Sequence, residues 1–318
     1  METNSINGSQ EDISEKNEKQ AVGDHDEADV FGSSFLKGTS KWMKKNLPCY
    51  KDTKKKAVAA MPVDKHAKFY NMDHKHRGIA VILNHESFAS HMNLKARAGT
   101  KVDKENLEKT LKKLGFDVHL YDDKKVQEID EIIEKASSVD HSNNDCFLLA
   151  CLSHGEQGIL YASDAPYKPE KLWNRFTADK CTSLAGKPKL FFIQACQGDK
   201  LDAGVTLKQT QVDSSPSYTI PAHADFIIAY STIPGFYSWR NTMRGSWFMQ
   251  ALCEELNANG YKEDLLTLLT TVNRKVAIDY ESNVPDNSVM HAQKQIPCIT
   301  FMLTRILKFQ MKNEIINV

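Results

Sequence analysis

The chain has 318 residues, 41% of them hydrophobic, which is enough to bury a sizeable core in one domain or two. Its 41 Lys and Arg balance 41 Asp and Glu, so no whole-molecule field favours nucleic acid or a membrane surface, and no apolar run approaches the roughly 18 residues of a membrane span. Seven cysteines, an odd count without paired spacing, follow an opening with no apolar targeting segment, which predicts free thiols in a reducing, cytoplasmic setting.

Residues 1–29 are rich in Glu, Asp, Ser, Asn and Gln with almost nothing to bury, which predicts an acidic disordered tail. Across 37–56 the sign flips to a lysine-rich tract (Lys41, Lys44, Lys45, Lys51, Lys54, Lys55, Lys56) interrupted by Trp42 and Tyr50. It reads as a solvated linker reaching to about residue 65, or alternatively as a docking point for acidic partners or RNA. Folded structure is expected from near Tyr70. Residues 78–83 read as a buried strand, 102–114 as an amphipathic helix closed by Gly115, 116–121 as a strand and 126–136 as a second helix. Strands follow near 145–153 and 189–195, separated by a polar stretch with a short amphipathic piece at Leu172, and another at 225–230. Helices are expected over 247–256 and 265–278, then a last strand over 296–306 with apolar neighbours on both faces. Alternating strands and helices predict an α/β sheet, whose ligands gather at strand carboxyl ends. The segment 199–224 lacks periodicity and reads as a functional or cleaved loop, with a tolerated surface insertion as the alternative.

Two strand ends carry chemistry. Gln194-Ala195-Cys196-Gln197-Gly198 delivers a cysteine from an apolar run into a turn, and strand alternation sends Gln194 and Cys196 to one face. Ser153-His154-Gly155 follows a second apolar run. Cys146, Cys151, Cys253 and Cys298 sit in apolar runs and read as core residues. Neither His74 with His76 nor Cys146 with Cys151 completes a zinc spacing, so no metal is expected.

With these two motifs the chain resembles the caspase family. The histidine lies 42 residues before the cysteine, against roughly 50 in the family pattern, a difference that an αβ connection absorbs. Further caspase-like segments occur in family order: His74-Lys75-His76-Arg77-Gly78, Lys95-Ala96-Arg97-Ala98-Gly99-Thr100, Tyr237-Ser238-Trp239-Arg240-Asn241 and Gly245-Ser246-Trp247-Phe248. The short acidic tail is similar to that of effector rather than initiator members, of insect-like type. The resemblance implies a three-layer αβα sandwich around a mostly parallel six-stranded sheet, with large and small subunits forming one domain. It implies an aspartate-specific cysteine endopeptidase of apoptosis, made as a zymogen, with no cofactor.

By that resemblance Cys196 is the nucleophile and His154 its acid–base partner. A free thiol is only slightly ionised at neutral pH, whereas imidazole titrates nearest to it. Gly155 and Cys196 donate backbone N–H groups to the oxyanion, each worth about 3 kcal/mol. The third orienting group is a backbone carbonyl near Lys95. Arg97 and Arg240, with Gln194, receive the substrate aspartate, because a desolvated carboxylate needs fork-shaped charged donors. On their own, both arginines would read as surface ion-pair members. Tyr237, Trp239 and Trp247 line outer pockets, with core packing as the alternative for Trp247. Asn241 and the Arg240 backbone hold the upstream peptide as an added strand. Processing is expected after Asp213, in Thr210-Gln211-Val212-Asp213-Ser214, and after Asp29, in Asp26-Glu27-Ala28-Asp29-Val30. This gives a prodomain (1–29), a large subunit (30–213) and a small subunit (214–318). Expected partners are protein substrates, an upstream initiator caspase, inhibitor-of-apoptosis proteins and a second copy of the chain, with no membrane or nucleic acid. The rival readings are a catalytically silent scaffold and a nucleic-acid binder working through the lysine tract.

Overall fold

The computed structural model describes residues 59–202 and 222–312. The tail at 1–29, the lysine tract at 37–56, Asp29, Asp213 and the subunit boundary after it lie outside the described residues.

In chain order the elements are β1 (Ile79–Asn84), α1 (Thr100–Lys113), β2 (Asp117–Asp122), α2 (Val126–Ser138), β3 (Phe147–Leu152), the short strands β4 (Gly155–Glu156), β5 (Ile159–Tyr161) and β6 (Pro166–Tyr167), and then β7 (Lys189–Gln194). After the undescribed linker come β8 (Phe226–Tyr230), the hairpin strands β9 (Arg240–Asn241) and β10 (Gly245–Ser246), α3 (Trp247–Asn259), α4 (Leu265–Asp279) and β11 (Cys298–Met302). Six strands form one sheet in the order β11-β8-β7-β3-β1-β2. Every neighbouring pair is parallel except β8 with β11.

The central strands β1, β3 and β7 are mostly apolar and buried at nearly every position, which requires a layer on each face. Ala80, Ile82, Leu148, Ala150, Leu190 and Phe192 point to one face, where Leu107 and Leu111 of α1, Phe248 and Leu252 of α3 and Leu269 and Val272 of α4 complete a core. Val81, Leu83, Leu149, Phe191 and Ile193 point to the other, against Ile129 and Ile133 of α2 and the aromatic Phe176. The helical residues recur at three- or four-residue spacing, which aligns them on one stripe. The short amphipathic piece at Leu172 is a 3-10 turn, Pro169–Leu172.

The last strand is shorter than its apolar sequence suggests. After Met302 the chain leaves the sheet edge, and Leu303, Leu307 and Phe309 pack into the helix-side core. These residues are apolar because they cross between layers, not because they extend the ladder. The segment ends in a buried ionic clasp on Asp145, which has no exposed surface. Arg77 Nη1 and Lys312 Nζ each lie 2.7 Å from Asp145 Oδ2, and His74 Nδ1 lies 3.2 Å from Oδ1. Arg77 also donates from Nη2 to the Gln310 carbonyl. Removing one partner of a buried ion pair strands the other charge. Asp145→Ala is therefore expected to destabilise the fold by about 3–5 kcal/mol in urea unfolding.

Candidate active site

The strands β3 and β7 pair in parallel and end abreast, with Leu152 opposite Gln194, and the ladder extends one step further through Ser153 N–H to Gln194 O at 3.0 Å. His154 and Cys196 each lie two residues beyond that last pair. Backbone contact between the two segments is tight. A Cβ on Gly155 would stand 2.6 Å from the Cys196 carbonyl oxygen and 2.9 Å from Ala195 Cβ, so only glycine fits. Gln194 and Cys196 both turn toward Ser238: Gln194 Nε2 donates to Ser238 Oγ at 2.7 Å, and Ser238 N–H donates to Cys196 Sγ at 3.4 Å.

His154 lies 2.8 Å through Nε2 from the carbonyl oxygen of Lys95. A carbonyl only accepts, so Nε2 carries the proton and Nδ1 keeps its lone pair. The ring also packs on Phe88, with centroids 5.0 Å apart. Burial lowers the His154 pKa, the Lys95 carbonyl opposes that fall, and the Arg97 and Arg240 charges reinforce it, so the ring is neutral near pH 7. Burial raises the Cys196 thiol, while the Ser238 N–H and the same two arginines pull it back.

Arg97 is 1% exposed. Its Nη1 donates to His85 O at 2.9 Å and Thr100 Oγ1 at 2.7 Å, whereas Nε and Nη2 are buried without a partner. Burial, then the neighbouring Arg240, brings its pKa down to about 9, which leaves it cationic at neutral pH. Arg240 is half-buried and anchored by Nε to Ala98 O at 2.9 Å. Gln194 Oε1 is likewise buried and unpartnered. The Ser238 hydroxyl can donate as well as accept, so the Gln194 amide can present either end to this cluster. Two guanidinium groups and an amide with unused hydrogen-bonding capacity form a receiver for a carboxylate.

Toward solvent, Trp239 stacks on Trp247 with centroids 5.7 Å apart, Tyr237 lies 6.4 Å from Trp239, and Trp247 lies 5.5 Å from Tyr280. Trp247 is both core and wall: it is 7% exposed, yet with Asn241 it lines a cleft of about 450 Å³ that runs to Arg244 and Tyr280. The Asn241 side chain accepts from the backbone N–H groups of Met243 and Arg244, which closes the hairpin turn.

Sequence reasoning did not single out Asp103. Its carboxylate is 2% exposed and accepts from Ser246 N–H at 2.7 Å and Ser246 Oγ–H at 2.6 Å, tying α1 to the hairpin that bears Arg240. Gly245, at φ +93°, leaves room for that carboxylate. An aspartate in the first turn of a helix has no sequence signal that separates this role from ordinary capping.

The Caspase domain model matches residues 77–308. The chain belongs to the caspase family. It is 61% identical over 259 residues to Caspase-1 of Spodoptera frugiperda, covering 81% of this chain and 86% of that protein, and 61% identical over 262 residues to Caspase drICE of Drosophila melanogaster, covering 81% and 77%. Caspase-3 of Bos taurus is 45% identical over 240 residues, covering 76% and 87%. The crystal structure of Caspase-1 from Spodoptera frugiperda superposes with a TM-score of 0.76 at 60% identity, covering 81% of this chain and 99% of that one. The chain is thus an insect-like effector caspase, a cysteine endopeptidase that cleaves after aspartate in apoptosis.

Because burial holds the Cys196 thiol above the usual thiol range, its alkylation by iodoacetamide in the uncut chain should rise with pH through a midpoint above that range. Arg240→Gln removes a charge that favours the thiolate and should move the midpoint further up. Peptide mass analysis reads the modified cysteine, and a midpoint at or below the ordinary thiol value would contradict this electrostatic account.

Proposed function

We propose that Cys196 is the nucleophile of this caspase, His154 its proton carrier, and Arg97, Arg240 and Gln194 the receivers of the substrate aspartate. The observation that carries the assignment is the pair of buried, unpartnered donors on Arg97 in a cluster whose charges act on both Cys196 and His154. A buried cation with idle N–H groups is costly until an anion meets it, and a carboxylate offers two acceptors in the matching plane.

His154 Nδ1 takes the proton of the Cys196 thiol, leaving an imidazolium, and the resulting thiolate attacks the carbonyl carbon that follows the bound aspartate side chain. An S–C bond forms, and the carbonyl electron pair moves to oxygen, which the Gly155 and Cys196 N–H groups receive. As the tetrahedral centre collapses, the C–N bond breaks and the amine takes a proton from imidazolium Nδ1. Nδ1 has this role because Nε2 is committed to Lys95 O. Water then attacks the thioester and gives a proton to Nδ1; the C–S bond breaks, releasing the acid and the sulfur. Upstream residues of the substrate pair with β9 as an added strand, beside Tyr237, Trp239, Asn241 and Trp247.

The chain is made as a zymogen, cut after Asp213 in the linker and after Asp29 in the tail, giving a large subunit over 30–213 and a small one over 214–318. An upstream initiator caspase makes the first cut, and inhibitor-of-apoptosis proteins restrain the product, on the family's grounds. A cytoplasmic setting fits the six described cysteines, all of them free thiols, and no helix among the described residues is long and apolar enough to cross a membrane. Pairing of two copies is supported by β11, an edge strand with Phe301 44% exposed beside a groove of about 380 Å³ lined by Leu266 and Leu303.

Wild-type protein should cleave a fluorogenic tetrapeptide ending in Asp, and Cys196→Ala should lose at least about a thousandfold in kcat/KM. Retained cleavage in the variant would reject the nucleophile. Fragment N-termini other than Ser214 and Val30 would reject the processing sites. Phe301→Asp should shift sedimentation toward the single chain; an unchanged profile would remove β11 from the interface.

A further inference from the structure

The direction in which Arg97 faces is set by a chain of buried hydrogen bonds that runs away from the site. Nη1 has two hydrogens, one given to His85 O and one to Thr100 Oγ1, at 2.9 and 2.7 Å. A guanidinium never accepts, so the Thr100 hydroxyl accepts there and gives its own hydrogen to Asn84 Oδ1 at 2.7 Å. The Asn84 amide is thereby oriented and donates from Nδ2 to Asp122 Oδ1 at 2.9 Å. Lys104 Nζ closes the chain at 3.0 and 2.8 Å from the two Asp122 oxygens. Each link fixes the sense of the next, so the network has one arrangement from Arg97 to the surface.

The elements explain why these groups meet. Asn84 and Asp122 are the paired last residues of β1 and β2, and Thr100 opens α1, which packs on those strands. Thr100 is 0% and Asn84 2% exposed, so water cannot stand in for either bond. With Nη1 fully committed, Arg97 has left Nε–H and Nη2, the two donors that are buried and unpartnered. They lie on one edge of the guanidinium, spaced for the two oxygens of a carboxylate.

We infer that Thr100, backed by Asn84, is a positioning residue for substrate selection: it turns Arg97 so that the Nε–Nη2 edge, not the Nη1–Nη2 end, receives the aspartate. This rests on the proposed reading of Arg97 as the carboxylate receiver. Without the hydroxyl, Nη1–H and Asn84 Oδ1 are both stranded in the interior, and the guanidinium swings to recover a partner. Loss falls on substrate capture, not on the thiol or the imidazole.

The test is steady-state cleavage of the fluorogenic tetrapeptide ending in Asp by full-length protein carrying Thr100→Val, Thr100→Ala or Thr100→Ser, each cut to completion by an added initiator caspase. Valine keeps the shape and removes the hydroxyl; alanine serves if the valine protein fails to fold. Expected is an increase in KM of about tenfold with kcat within about twofold, and recovery to within about threefold of wild type by serine. Iodoacetamide, which is uncharged and ignores the receiver, should alkylate Cys196 at the wild-type rate in all three. Unchanged KM in valine and alanine variants, an equal fall in kcat or alkylation, or serine no better than alanine would each overturn the inference. Wild-type protein that fails to cleave the peptide would instead remove the substrate reading, and this inference with it.

Discussion

Parallel pairing between β3 and β7 is the constraint on which the site depends. Their register is set by core packing, because alternate residues supply two different layers and a slip of one position would send Phe192 and Ile193 to the wrong sides. Once that register holds, both strands leave the sheet at one level, and the segments bearing His154 and Cys196 emerge side by side. No contact between imidazole and thiol is needed to bring them there. Reactive geometry is inherited from hydrophobic burial far below it, and the missing side chain of Gly155 lets the two backbones close up.

Charge balance explains why the cluster tolerates two guanidinium groups. Arg97 and Arg240 each lower the proton affinity of the groups around them, and Arg240 acts on Arg97 itself. Asp103 acts on both arginines in the opposite sense, while its own two oxygens are taken up by Ser246. The trio carries one net positive charge, which a single carboxylate cancels. An apolar side chain would leave Arg97 Nε and Nη2 idle, and sites built to bond a polar group reject analogues that cannot bond back.

Much of this was legible in the sequence. Strand positions in the large sheet followed from short apolar runs, and the four helices from stripes such as Leu107 with Leu111 and Ile129 with Ile133. Cys196, His154, Gln194, Arg97 and Arg240 were singled out through family motifs, and the structure gathers Gln194 and Cys196 at Ser238 and anchors Arg240 on Ala98, the neighbour of Arg97. What escaped were groups whose role depends on distant partners. Asn84 and Thr100 look like a strand end and a helix start until the fold joins them, whereas the carbonyl near Lys95 was expected from the family resemblance and lies 2.8 Å from His154 Nε2. The two- and three-residue strands β4, β5 and β6 are too short for any period to register. Residues 303–306 read as strand because apolarity reports burial, not conformation.

The boundary between β7 and β8 has one further consequence. They are consecutive in the chain and adjacent in the middle of the sheet, yet joined only through residues 195–225. A scission in that connection would create two polypeptides whose common border is a ladder of main-chain bonds flanked by both cores. Such halves cannot drift apart as ordinary subunits do, since parting them means melting the whole molecule. A cut there would work as a ratchet, severing the chain while the body stays assembled.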